Sequence, residues 1–414
     1  MNLKWSKTEL GEIVDTLKGC AFKSKDYVFD GVPVVRVSDF TENSIAEDKL
    51  VYLPEALAVE YSAYKLQHNN IVIQTVGSWQ YNPASVVGKV IKIPKKLSSS
   101  LLNQNAVKLI PNQNIDEKFL YYRLKDDTFK AHVLGSAQGA ANQASITLTT
   151  IKRFKFFLPP LEIQQKIAVI LSAYDDLIEN NLKRIKLLEE MAQITYEEWF
   201  VRLKFPGHET APIDSETGLP EGWCFGKVLD LFELQRGFDL PIQERENGAI
   251  PIIASTGVTG FHSSCKVNGP GVVTGRSGTI GRVMFIHSDF WPLNTTLWVK
   301  KYQSCGPIFA KHFLQNFNLE SLCGGSAVPS LDRKAVHVQR IVIPTAKLMK
   351  NFEIYASSLY EATKVLRFQN DLLKEARDIL LPRLMTGMID VEQLVLPEPF
   401  SNTPSSPEKE PQAA

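Results

Sequence analysis

A chain of 414 residues is too long for one hydrophobic core and points to two or three domains. Hydrophobic residues at 44% and charged residues at 22% are globular proportions, which excludes a disordered, collagen-like or fibrous chain, and no apolar run approaches the roughly 20 residues of a membrane helix. The net charge of +1 hides an uneven distribution: residues 1–160 hold 20 basic against 15 acidic, and residues 223–345 hold 12 against 8, so two separate blocks could steer a polyanion. Residues 1–9 are polar, without the apolar core of a signal peptide. Cys20, Cys224, Cys265, Cys305 and Cys323 are odd in number and form no CxxC pair. That argues against a disulfide framework or a zinc site and leads us to expect a reducing cytoplasm.

In chain order, residues 1–160 read as a first α/β block. Short runs rich in Val and Ile at 32–37, 71–76 and 86–93 predict strands, and 116–130 predicts a helical patch. From 162 to 203 there is no glycine or proline, and Leu171, Ile178, Ile185, Ala192 and Trp199 recur on a heptad with Tyr174, Leu188 and Thr195 between them. That pattern predicts a long amphipathic helix over 161–205. Residues 206–222 contain Pro, Gly and acids but no Lys or Arg, and read as a linker. A second α/β block follows over 223–345, with strands at 250–254, 271–274 and 282–287 and a helix at 307–316. A second long helix over 346–394 carries Leu359, Leu366, Leu373 and Leu380, interleaved with Ala362 and Ala376. The Pro-, Ser- and Glu-rich tail from 395 to 414 reads as disordered.

The chain is written twice. Trp5, Leu10, Ile13 and Gly19 return as Trp223, Val228, Leu231 and Gly237, with Lys18 and Arg236 before the two glycines. Pro33-Val34-Val35 returns as Pro251-Ile252-Ile253, and Gly88-Lys89-Val90 as Gly281-Arg282-Val283. Leu102-Asn103 aligns with Leu293-Asn294, Ser145-Ile146 with Ser330-Leu331, and Leu158-Pro159 with Ile343-Pro344. In the helices, Leu187-Leu188-Glu189-Glu190 aligns with Leu372-Leu373-Lys374-Glu375. Conserved order over that many matches marks a duplication.

Catalytic motifs are missing. The Gly275–Arg282 stretch lacks P-loop spacing, and Asn82-Pro83-Ala84 is not the Asn-Pro-Pro-aromatic motif of adenine methyltransferases. The seven histidines form no metal-binding pair, and no Ser or Cys sits in a nucleophile elbow. A binding protein, with no metal and no catalytic residue, is the expectation.

The aromatic-led starts at Trp5 and Trp223, the Gly278-Thr279-Ile280-Gly281-Arg282 turn, and Phe157-Leu158-Pro159-Pro160-Leu161-Glu162-Ile163-Gln164-Gln165 leading into a long helix resemble the specificity subunit (HsdS) of type I DNA restriction–modification systems. Trp199-Phe200 and Leu381-Pro382-Arg383-Leu384-Met385-Thr386-Gly387 are similar to that family's helix ends, and the likeness reaches to about residue 394. The resemblance implies a mixed α/β fold: two homologous α/β target-recognition domains joined by two long antiparallel coiled-coil helices in a pseudo-twofold internal repeat. It implies double-stranded DNA as ligand, two adenine-N6 methyltransferase subunits and restriction/translocase subunits as partners, and no membrane. S-adenosylmethionine, ATP and Mg are expected on partner subunits only, with no cofactor on this chain. Each domain would read half of an asymmetric bipartite site, and the helices would set the spacer and dock the methyltransferases.

Loops that combine donors, aromatics and glycines supply the candidate DNA contacts. In the first block these are Thr75, Ser78, Trp79, Gln80, Tyr81, Asn82, Gln138, Asn142 and Gln143, with Lys18, Arg36 and Lys89 toward phosphate. In the second they are Ser255, Arg276, Ser277 and Thr279, with Arg236 and Arg282 toward phosphate. Two other readings stay open: a stand-alone enzyme that reads and modifies DNA, and a scaffold whose two domains bind something other than DNA.

Overall fold

The computed structural model describes residues 5–41, 44–79, 86–139, 143–324 and 329–395. The chain divides into two compact units, Met1–Ile178 with Asp371–Ala414, and Glu179–Asn370. Each unit therefore combines one α/β block with a stretch of both long helices.

In the first unit, β1 (Ser6–Glu9) pairs antiparallel with β11 (Lys155–Leu158), which ties the start of the block to its end. Between them lies a four-stranded antiparallel sheet of β2 (Val14–Lys18), β9 (Ala106–Pro111), β5 (Ile71–Gln74) and β7 (Val90–Lys92), in that order. A second sheet joins β4 (Val51–Leu53), β3 (Val32–Val35) and β8 (Leu101–Leu102), with β3 and β8 parallel. The patch expected at 116–130 is two helices, α3 (Glu117–Lys125) and α4 (Asp127–Gly135). Asp126 divides them: its backbone is extended and its carboxylate accepts Thr128 N–H, so it caps a new helix and does not continue the old one. Phe119 and Phe129 from these helices pack with Leu10, Ile71 and Ile73 in one core.

The second unit repeats the plan. Strand β12 (Cys224–Lys227) pairs with β22 (Arg340–Ile343), and β13 (Phe232–Arg236), β19 (Thr296–Tyr302), β16 (Gly271–Gly275) and β17 (Val283–Ile286) form the sheet. Strands β15 (Gly257–His262), β14 (Ile250–Ala254) and β18 (Trp291–Pro292) form the small one. Helix α8 (Pro307–Asn316) begins on proline as expected.

Equivalent hydrogen bonds fix the alignment of the copies. Asn103 N–H donates to Val35 C=O at 3.0 Å, and Leu293 N–H to Ile253 C=O at 2.8 Å. Leu102-Asn103 therefore corresponds to Pro292-Leu293, one residue from the alignment read in the sequence. The repeated glycines have a shared cause. A Cβ on Gly19 would lie 2.0 Å from Asn103 O and one on Gly237 2.2 Å from Leu293 O, so only glycine lets the chain cross there.

Helix α6 (Leu161–Tyr196) continues into one π-helical turn, Glu197–Val201, so the helix expected to 205 stops at 201. Helix α10 (Ala346–Met385) runs through Pro382, which is in its last turn, where a missing N–H costs one bond. The helix expected to 394 thus ends at 385. The linker is a built turn: Ile213 bridges Pro220, and Asp214 accepts N–H groups from Glu216 and Thr217, which hold its carboxyl below the usual carboxylate range. The tail lies, from residue 396, outside the described residues. Among the described residues no helix is long and apolar enough to cross a membrane.

The buried side of α6 is the expected one, with Leu171, Ile178, Ile185 and Ala192. On α10 the expected leucines face inward, Leu366 buried and Leu359, Leu373 and Leu380 half-buried like Ala362 and Ala376, but Ala356, Thr363 and Asn370 share the buried stripe and the half-buried Arg377 continues it. Polar residues at three of those positions masked part of the pattern. Each is satisfied or tied down. Asn181 Nδ2 donates to Asn370 Oδ1 at 2.9 Å with both side chains buried. Asp175 accepts hydrogen bonds from Tyr122 OH of α3 and Arg377 Nη1 of α10, each at 2.6 Å. Burial next to that carboxylate raises the Tyr122 phenol's pKa, and the carboxylate raises that of Arg377.

Polar side chains of the long helices also close the N-termini of α3 and α8. Gln164 of α6 accepts Asp116 N–H at 2.8 Å and donates to Asn114 and Pro159 carbonyls. Glu353 of α10 accepts the Ile308 and Phe309 N–H groups at 2.9 Å each. Further along α8, the buried His312 Nδ1 lies 2.7 Å from Gln193 Oε1 and its Nε2 3.1 Å from Tyr360 OH. Those partners select the neutral tautomer that donates from Nδ1 and accepts at Nε2. Burial first, and then the Lys311 charge, lower the His312 pKa to about 2, and burial lowers that of Lys311 to about 8.

Two stability outcomes follow. Asn370→Ala leaves Asn181 buried without its partner and should lower the unfolding free energy by about 1–3 kcal/mol, whereas Asn181→Leu combined with Asn370→Leu should recover most of it. Urea titrations of the three chains decide; a double variant no better than the single one would show that the pair does not act as a unit. For His312 the folded pKa lies below the unfolded value near 6.5, so its stabilisation is present above that value and is lost as pH falls. Between pH 7 and pH 5 the loss should be about 2 kcal/mol, and His312→Gln should remove that pH dependence. Equal acid sensitivity in the variant would exclude His312 as the source.

Candidate nucleic-acid interface

The second unit carries the better-defined site. A Cβ on Gly275 would fall 1.8 Å from Thr279 O, so glycine permits the tight turn that follows β16, and Gly278 in that turn has φ +80°. Arg276, next in the chain, is clamped by its backbone: its N–H donates to Thr295 C=O at 2.8 Å, and its C=O accepts from Leu331 N–H at 2.8 Å. Leu331 belongs to β21 (Ser330–Leu331), and Ser277 bridges Ser330 beside it. Helix α9 (Arg333–His337) starts immediately after, capped by Asp332, whose carboxylate accepts Lys334 N–H.

These segments enclose an open groove of about 980 Å³ whose walls include Arg236, Phe238, Arg276, Lys300, Asp332 and Arg333. Two of its cations face acids at 3.9 Å, Arg236 with Asp239 and Lys300 with Glu233. Both pairs are exposed and contribute little. The guanidinium groups of Arg276 and Arg333 make no ion pair or hydrogen bond among the described residues. The groove is polar and open, suited to an extended anion with hydrogen-bond acceptors.

The other candidates of this block spread around the same turn. Thr279 is exposed and Ser277 half-buried. Ser255 is buried, with its N–H directed at Thr295 Oγ1. Arg282 is exposed, but one of its nitrogens is bonded to Thr256 C=O.

In the first unit, Thr75 occupies the place of Arg276: Thr75 N–H donates to Asn105 C=O and its C=O accepts from Ile146 N–H, both at 2.9 Å. It is only 6% exposed, and Ser78 is also buried, so in this conformation both shape the loop and do not face solvent. Trp79 is half-buried against the main core, and Lys89 is half-buried with its carbonyl accepting Gln74 N–H. Lys18 at the end of β2, Gln138 and Gln143 are exposed. Arg36 is committed within its own loop, bonded to Asp39 and to Lys49 C=O. Gln80, Tyr81, Asn82 and Asn142 lie outside the described residues. Trp5 and Trp223 pack against their cores.

Sequence reasoning missed Lys300 and Arg333. Lys300 had no signal, because only the sheet register brings it to the groove. Arg333 had one: it follows Ser330-Leu331, whose first-block counterpart Ser145-Ile146 leads back to the loop at Thr75. Among the described residues no group of three or more His, Cys, Asp or Glu side chains could hold a metal ion.

Comparison with known proteins converges on one family. Residues 2–190 match the type I restriction modification DNA specificity domain. The MjaIX specificity subunit of a type I restriction enzyme from Methanocaldococcus jannaschii is 26% identical over 321 residues, which cover 70% of this chain and 73% of that one. A second protein of the same organism, the putative MjaX specificity subunit, is 23% identical over 411 residues and 94% of each chain, so the likeness spans both copies of the repeat. The crystal structure of a type I restriction-modification S subunit from M. genitalium shares the fold, with a TM-score of 0.53 over 93% of this chain and 96% of that one at 16% identity. The duplicated α/β blocks and the two long helices are thus shared with a fold of that kind, and the chain is similar, over both copies of its repeat, to the DNA-sequence specificity subunits of type I restriction–modification systems.

Proposed function

We propose that each α/β block reads one half of an asymmetric, bipartite duplex site, and that the two long helices set the unread spacer and dock two copies of an adenine-N6 methyltransferase subunit. Restriction/translocase subunits join that assembly, and S-adenosylmethionine, ATP and Mg belong to the partners. The observation that carries this reading is an exposed apolar stripe that occurs twice. Leu187, Ile194 and Val201 recur every seventh residue along α6 and its π-helical turn, and Val365, Leu372 and Ile379 do the same along α10. All six are 47–59% exposed, on the side away from the buried stripe of their own helix. Through the match of Leu187-Leu188 with Leu372-Leu373, Leu187 and Ile194 correspond to Leu372 and Ile379. A repeated apolar stripe suits one partner surface bound twice, because large exposed apolar side chains in regular array mark interfaces.

The asymmetry of the site is supported by divergence of the two reading surfaces on a common backbone. Arg276 is matched by Thr75, and the rim cation is Arg236 in one copy and Lys18 in the other. The spacer role is supported by helix length: 36 and 40 residues correspond to about 54 and 60 Å at 1.5 Å per residue, against the roughly 34–36 Å between half-sites one helical turn apart.

Replacing residues 1–160 with the first block of another family member should change one half of the methylated sequence and leave the other half and the spacer intact. A change in both halves would mean that the blocks do not read independently. Leu187→Glu with Ile194→Glu should remove one of two methyltransferase copies from the assembly, as should Leu372→Glu with Ile379→Glu, and all four changes should remove both. Mass measurement of the purified complexes tests this; an unchanged 2:1 assembly in the fourfold variant would refute the docking stripes.

A further inference from the structure

We infer that Arg276 and Arg333 act together as a guanine-reading pair in the second block, so that its half-site contains G·C pairs for which the first block has no equivalent reader. The inference rests on the family's recognition of DNA and goes further, to particular bases and particular side chains.

A duplicated DNA reader sorts its own residues. Phosphate is chemically identical in both half-sites, so a side chain that contacts phosphate can be kept in both copies. Base edges differ between half-sites, so the residues that read them must diverge. Lys18 and Arg236 precede the obligatory glycines Gly19 and Gly237 and remain cationic in both copies. Lys89 and Arg282 likewise match. Those pairs behave as phosphate contacts. Arg276 and Arg333 behave in the opposite way. The two hydrogen bonds that clamp Arg276 clamp Thr75 in the first block. Arg333 is the first residue of α9 after its cap Asp332, and the corresponding position in α5 (Leu148–Lys152), after its cap Thr147, is Leu148. Two guanidinium groups in one copy are therefore replaced by a hydroxyl and an isobutyl group in the other.

Chemistry and rigidity agree with this sorting. The Arg236 and Lys300 charges have acids near them, and the Asp332 carboxylate is engaged with Lys334 N–H, which leaves Arg276 and Arg333 as the groove's guanidinium groups without a partner among the described residues. A guanidinium fork matches guanine O6 and N7 in the major groove. Reading a base requires a fixed origin for the side chain. Arg276 is held by hydrogen bonds at both N and O, and one of them comes from Leu331, two residues before Arg333. Helix α9 is in turn anchored by the buried Val336. The two arginines thus project from chain segments that are bonded to each other.

The test uses the full chain assembled with its methyltransferase subunits and a pool of randomised DNA duplexes. Wild type should enrich one bipartite motif with at least one invariant G·C pair in the second block's half-site. Arg276→Ala and Arg333→Ala should each lose 10- to 100-fold discrimination at a single base pair there, with the other half-site and the salt dependence of binding unchanged. Arg333→Lys should not restore the preference, because an ammonium lacks the fork. Arg236→Ala should instead weaken binding to all sequences alike and lower the salt slope by about one. A uniform loss with a smaller salt slope for Arg276→Ala or Arg333→Ala would place that arginine on phosphate and overturn the pair, as would an unchanged motif. If wild type enriched no duplex, DNA reading itself would fail, an outcome distinct from either.

Discussion

Asp175 accepts hydrogen bonds from Tyr122 on the block's helix α3 and from Arg377 on the second long helix, and this partly buried junction fixes the first block to both helices. In the second unit the junction is made differently, by His312 between Gln193 of α6 and Tyr360 of α10. An apolar seam alone lets helices slide, because one leucine packs much like another. Buried polar groups do not, because a shift of one turn would leave each without its partner at a cost of about 1–3 kcal/mol. Asn181 and Asn370 add a third such point. Register is therefore set by a few directional contacts, while the surrounding apolar residues supply the bulk of the attraction.

Held in this way, the blocks can diverge outward without losing their frame. The positions that stayed the same are those where backbone meets backbone. Gly19 and Gly237 each admit a carbonyl at about 2 Å from where a Cβ would stand, and Gly88 and Gly281 share a positive φ of 81° and 79°. The positions that changed lie apart from those fixed points, at Thr75 and Arg276 and at Leu148 and Arg333. The fold thus separates what must be constant for folding from what is free to vary for recognition.

Much of this organisation was legible in the chain. The order of repeated residues, the glycine-free heptads of α6 and the proline start of α8 each have a local cause that sequence displays directly. The inward side of α10 was legible only in part. The leucines at 359, 366, 373 and 380 mark it, but Thr363 and Asn370 in its buried stripe and the half-buried Arg377 that continues it are polar and carry no apolar signal. The division of 116–130 at Asp126 was also hidden, because an aspartate inside a helical pattern becomes a cap only when the following N–H turns toward it. Of the candidate contacts, Arg236 and Arg276 meet in one groove, Thr75, Ser78 and Ser255 are buried, and Arg36 is bound within its own loop.

By itself the sequence determined the duplication, the alternation of α/β block and long helix, and the family resemblance, since these depend on order and periodicity along the chain. Tertiary structure alone decided which polar residues join the buried stripe of α10, that Asn181 meets Asn370 and Asp175 meets Arg377, and that Arg333 and Lys300 share a groove with Arg276. The reason is physical. Periodicity records only how a segment divides water from core, whereas a hydrogen bond or a shared groove depends on which distant segments arrive at the same place, and that is fixed only when the sheets and the seam have packed.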